Sequence, residues 1–136
     1  MRAMTSGAPT PPSATLTCQD RPGYLYIRVD GLKGHLEHTL DIWQRTAAIV
    51  NERQPRLLMI HDHTRGRTLP PEDLARVIES LEGLLHAGLR VAMVETQDAE
   101  LARMEHAVIL AREAGFDVRI FLHEREAEIW LRYGGR

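Results

Sequence analysis

The chain has few means of holding itself together other than packing. It contains a single cysteine, Cys18, so no internal disulfide can form, and that usage fits a reducing cytoplasm. Lysine occurs once, at Lys33, the rest of the basic side being arginine. With 17 basic and 19 acidic residues the net charge is −2, and no long basic face is available for nucleic acid. No apolar run approaches the ~20 residues of a membrane span. The first residues lack the apolar core of a signal peptide, so a cytoplasmic location is expected. No G-x-S-x-G, P-loop or dinucleotide fingerprint occurs, and there are no internal repeats.

What remains is ordinary for a globular protein: 43% hydrophobic and 26% charged residues over 136 positions. That is one domain, large enough to bury a core unaided. Residues 1–13, rich in Pro, Ser, Thr and Gly, read as a disordered tail, which leaves 14–134 as the domain. Two β-prone pieces, Ala14 to Gln19 and Tyr24 to Asp30, flank an Asp20-Arg21-Pro22-Gly23 turn and predict a hairpin. Leu36, Leu40, Trp43, Ala47 and Val50, spaced by four and three, predict a helix ending near Arg53.

Leu57 to Ile60 is apolar on both faces, as in a strand buried between helical layers. Pro70-Pro71-Glu72-Asp73 opens a second helix with the buried stripe Leu74, Val77, Ile78, Leu81 and Leu85, capped at Gly88. Leu89 to Glu95 predicts a strand. Asp98 to Ala114 predicts a helix with Leu101, Met104, Val108 and Ala111 inward. Phe116 to Leu122 predicts a strand, and Glu124 to Tyr133 a last helix with Ala127, Trp130 and Leu131 buried. The order ββαβαβαβα gives an α/β domain with a largely parallel sheet.

The stretch His61-Asp62-His63-Thr64-Arg65-Gly66-Arg67-Thr68 falls beyond the apolar run, where ligands sit in such sheets. Glu95 and Thr96 follow the next parallel strand. Asp62, Thr64, Arg65, Arg67, Thr68, Glu95 and Thr96 are therefore the candidate ligand-binding residues, with Asp62 and Glu95 expected to order the two arginines against an anion. His61 and His63, two apart, share one side of an extended segment with Asp62 opposite, so they are the weak metal candidates. His35 and His38, one helical turn apart at the start of the first helix, could contribute to that set.

Asp62 with Thr96 also matches two parts of a receiver domain, but the acidic pair and the lysine after the last strand are missing. Cys18 has no base beside it, and Trp43 and Trp130 lie on core stripes. No catalytic set is complete, and no cofactor is expected. A large, outward Tyr24 and Tyr26 on an exposed edge suggest a homodimer.

The strand Tyr24-Leu-Tyr-Ile-Arg-Val-Asp-Gly31, the strand ending at Asp62, Arg90-Val-Ala-Met-Val-Glu95, Val118-Arg-Ile-Phe121 and Glu126-Ala-Glu-Ile-Trp-Leu131 carry a likeness over residues 14 to 133. In that order they resemble the STAS fold of anti-sigma-factor antagonists, and more closely the bacterial STAS/SEC14-like family. The resemblance implies a non-enzymatic regulatory module that binds a protein partner or a small ligand. The alternative is a small metal- or anion-dependent enzyme centred on His61, Asp62 and His63. In phospho-regulated antagonists a serine pair and a glycine open the helix after the Asp strand. Here Leu69-Pro70-Pro71 occupies that place, and the resemblance does not extend to the phosphorylation switch.

Overall fold

The computed structural model describes residues 14–134, and the tail expected at 1–13 lies outside them. β1 (Ala14–Arg21) and β2 (Tyr24–Leu32) form the hairpin, in register from Ala14↔Gly31 to Arg21↔Tyr24. There follow α1 (Leu36–Arg53), β3 (Leu57–Arg65), α2 (Pro71–Leu81), β4 (Arg90–Glu95), a 3₁₀ turn (Asp98–Glu100), α3 (Leu101–Glu113), β5 (Asp117–Phe121) and α4 (Glu124–Tyr133). The five strands lie side by side in sequence order, with β2 to β5 parallel.

Each crossover steps one place in the same direction, so α1, α2 and α3 collect in sequence on one face, the front. Only α4, after the last strand, crosses the back, against β3, β4 and β5. The sheet has no point at which the order reverses. Its carboxyl ends therefore open under the loops of the front helices and not between helices that depart on opposite sides.

Both faces are covered, and the strands show it by alternation. Leu25, Ile27 and Val29, then Leu58 and Ile60, then Val91 and Met93 enter the front core with Ile42, Val50, Met104 and Val108. Their neighbours Tyr24, Tyr26, Met59, Ala92 and Val94 enter the back core with Ala127, Trp130 and Leu131. Ala47, Leu69, Leu74, Val77 and Leu81 join the front helices to one another.

The structure corrects the sequence reading in four places. Tyr24 and Tyr26 do not face outward: α4 buries both, which removes the aromatic surface on which a homodimer was expected, while β1 alone stands at that edge. β3 does not stop at Asp62, because β2 runs on beside it and pairs Asp30↔His63, Gly31↔Thr64 and Leu32↔Arg65. α2 ends at Leu81 and not at Gly88; Gly83, at φ +82°, turns the chain out of the helix. The third helix begins one turn late, since Asp98–Glu100 is 3₁₀.

Candidate functional site

Three loops meet over the carboxyl ends of β2, β3 and β4, and backbone bonds tie them. The Lys33 amide donates to the Arg65 carbonyl (2.8 Å), and both the amide and hydroxyl of Thr96 donate to the Asp62 carbonyl (3.4 and 2.9 Å). The Gln97 side chain donates to the Gly66 carbonyl at 3.1 Å. Gly66 is required here: at φ +107° it passes the Lys33 carbonyl so closely that a Cβ would sit 2.6 Å from its oxygen.

Beneath the loops lies a buried ionic cluster. The Lys33 ammonium is 2.6 Å from Glu95 Oε1 and 3.4 Å from Asp62 Oδ2, with side-chain exposures of 8%, 0% and 13% for Lys33, Glu95 and Asp62. The remaining acceptors are also used. Asp62 Oδ1 takes the Thr64 amide (2.8 Å) and hydroxyl (2.5 Å), and Glu95 Oε2 takes the Gln97 amide (2.9 Å). Burial pushes the Glu95 carboxyl above its ordinary range against the pull of Lys33, with Asp62 adding to the rise. Beside the cluster, Glu100 accepts the Thr68 amide at 2.6 Å and pairs with Arg103 at 3.3 Å.

Below Lys33 and Asp62 the front layer is not filled. A cavity of about 130 Å³ lies between the sheet and α1, α2 and α3, walled by aliphatic side chains from every element it touches and by Trp43. Its only polar lining comes from Thr39, Thr46, Thr64, Thr68, Asp62 and Lys33. Thr46 spends its hydroxyl on the Ile42 carbonyl of its own helix (2.8 Å). At the opposite end Leu85, Val91 and Phe116 separate it from a second pocket under the α2–β4 connection.

The candidate residues thus divide. Asp62, Thr64 and Thr68 line the cavity mouth, Glu95 stands behind it, and Thr96 holds the backbone of β3. Arg65 and Arg67 are exposed and enter none of these ion pairs; the charge that Asp62 and Glu95 answer is Lys33. That lysine, with Glu100 and Gln97, was missed from sequence. Its one visible signal is being the sole lysine, three positions beyond the strand predicted at Tyr24 to Asp30.

The histidines do not converge. His61 and His63 do share one side, ring centroids 4.2 Å apart, but it is the back side, where His61 shares a 2.6 Å hydrogen bond with Tyr26 and lies 3.6 Å from Glu124. His35 and His38, 5.2 Å apart, belong to α1 on the front. Among the described residues no three His, Cys, Asp or Glu side chains are arranged to hold a metal. Desolvation in the back core, with His63 alongside, pushes the His61 imidazole below its ordinary range. Cys18 is half-buried, and burial raises its thiol, so the unreactive protonated form is favoured.

No protein-family model and no curated protein matches this chain. Among solved structures it is similar to an anti-sigma factor antagonist from Mycobacterium paratuberculosis, at 17% identity and a TM-score of 0.59 over 90% of this chain and 97% of that one. It is also similar to a protein with a SpoIIAA-like fold from Shewanella loihica, at 15% identity and a TM-score of 0.52 over 93% and 99%. The chain therefore has the STAS-like fold of these proteins, β-hairpin first and mostly parallel sheet after it. No helix of the described residues is long and apolar enough to cross a membrane.

Proposed function

We propose that this chain is a non-enzymatic STAS-like regulatory module that works by binding. A small apolar ligand occupies the front cavity, and its presence is passed to a protein partner through the three loops above it. The observation that carries this reading is the cavity itself. At about 24 cal/mol per Å³, leaving 130 Å³ empty forgoes roughly 3 kcal/mol of packing. That is a large share of a domain's stability, and a ligand recovers it.

The likeness to an anti-sigma factor antagonist supports a protein partner. The loops supply a readout, because Lys33 and Asp62 line the cavity's mouth and, through their cluster with Glu95, also lie beneath the loops. An enzyme centred on His61, Asp62 and His63 finds no support, since Asp62 lines the front cavity while the two rings pack on the back.

Trp43 lines the cavity and Trp130 belongs to the back core, so fluorescence of a Trp130→Phe variant reports the cavity alone. Titration with toluene should change the Trp43 emission saturably and raise the melting temperature. An unchanged emission and melting temperature at toluene saturation would exclude an apolar ligand in this cavity.

A further inference from the structure

The polar groups at the cavity mouth restrict what can bind below them. They form one shared ion-pair cluster with a negative charge in excess: a single ammonium, Lys33, stands between two carboxylates, Asp62 and Glu95. Glu95 is wholly buried, and among the described residues Lys33 is the only cation within ion-pair distance of it. Thr64 and Gln97 supply the carboxylates' other hydrogen bonds.

An anionic head group at the mouth would bring a third negative charge beside Asp62. To answer it, Lys33 would have to loosen from Glu95, leaving a buried carboxylate uncompensated. Two carboxylates already share the one ammonium, so a further negative charge here is costly. A cationic head group fares no better. The one carboxylate in the lining, Asp62, already faces Lys33 with its Oδ2, so the incoming charge would lie against the ammonium, and the other polar wall groups are threonine hydroxyls.

One neutral oxygen, by contrast, can be accommodated. An ammonium has three donors, and two of those of Lys33 are engaged, by Glu95 and Asp62. The third is available to a hydroxyl or carbonyl oxygen, with Thr68 at the same rim. The size is set by comparison: an apolar cavity of roughly 150 Å³ holds one benzene molecule, and this one is about 130 Å³.

We infer that the front cavity takes an uncharged ligand about the size of a benzene ring, bearing at most one hydroxyl or carbonyl oxygen. This rests on the reading of the cavity as a ligand site and names the ligand's charge class and size.

The test is a matched set on one ring: toluene, benzyl alcohol, benzoate and benzylamine, titrated at neutral pH against the Trp130→Phe protein by Trp43 fluorescence. Toluene and benzyl alcohol should bind saturably, with benzoate and benzylammonium at least tenfold weaker. In a Glu95→Gln variant, which removes one buried negative charge at constant shape, the benzoate penalty should shrink several-fold. Benzoate or benzylammonium binding as tightly as benzyl alcohol would overturn the charge assignment while leaving the cavity a ligand site. A benzoate penalty unchanged in Glu95→Gln would remove the ionic cluster as its cause. Failure of toluene itself to bind would overturn the ligand reading on which the inference stands.

Discussion

Replacing Lys33 with methionine tests the ionic cluster most directly. The substitution keeps much of the apolar stem and deletes the only charge among the described residues that pairs with Glu95, which has no exposure at all, and Asp62, which has little. Removing one partner of a buried ion pair costs about 3–5 kcal/mol. For a domain of this size that corresponds to a fall in melting temperature of roughly 10–20 °C. Linkage gives the loss a signature. Without Lys33 the Glu95 pKa in the folded state rises further above its unfolded value. The charged form then opposes folding, so the penalty is full above the folded-state pKa and fades as the pH falls and the group takes up its proton.

Urea unfolding followed by circular dichroism at about pH 8 and about pH 5 should therefore show Lys33→Met closer to the parent at the lower pH. Lys33→Met combined with Glu95→Gln should recover more than half of the loss near pH 8, because an amide can be buried with its existing Gln97 contact at far lower cost. A Lys33→Met protein within about 1 kcal/mol of the parent at both pH values, or a loss independent of pH, would refute the picture of a buried, mutually dependent cluster.

Other outcomes follow from the same geometry. Gly66→Ala should destabilise by more than about 1 kcal/mol in denaturant unfolding, because its Cβ meets the Lys33 carbonyl at 2.6 Å in a left-handed backbone. Arg65→Ala with Arg67→Ala should change stability by no more than about 0.5 kcal/mol per site, both residues being exposed. His61 has a folded-state pKa below its unfolded value, so its neutral form stabilises the fold above about pH 6.5 and that contribution is lost as the pH falls through the folded-state pKa. His61→Gln should flatten the stability profile in that range. Cys18, protonated and half-buried, should react slowly with a thiol reagent in the native protein and quickly in urea.

The elements were legible because each is written in a local period. Tyr24 to Val29 alternates, Leu57 to Ile60 is uniformly apolar, and the α4 pattern Ala127, Trp130, Leu131 marks one helical face. Local period also placed Asp62, Thr64 and Glu95 at strand ends, and those ends do meet. It could not show what they meet. Lys33 finds Glu95 62 positions along the chain, through the alignment of β2, β3 and β4, and no spacing in sequence records that. Arginines around a glycine drew attention to Arg65 and Arg67, yet the positive charge that matters came from the preceding crossover. The cavity was invisible for a related reason. It is what three helices leave unfilled, a property of summed side-chain volumes and not of any one stripe.

The position of α4 also orders events in time. The strands pair with their successors in sequence, so the sheet and its front layer can grow as the chain lengthens. The back face cannot close that way. The bonds that fasten α4 to the hairpin, Arg21 to Glu124, Tyr24 to Glu128 and Arg132 to the Pro22 carbonyl, span 103, 104 and 110 positions. At a synthesis rate of ~5–20 residues per second, Tyr24 and Tyr26, later joined by Met59, Ala92 and Val94, stay uncovered for on the order of 5–20 s. During that interval the nascent chain presents an apolar sheet face beside the β1 edge, which no other strand of the described residues pairs, a surface suited to chaperone capture or to aggregation with other nascent chains.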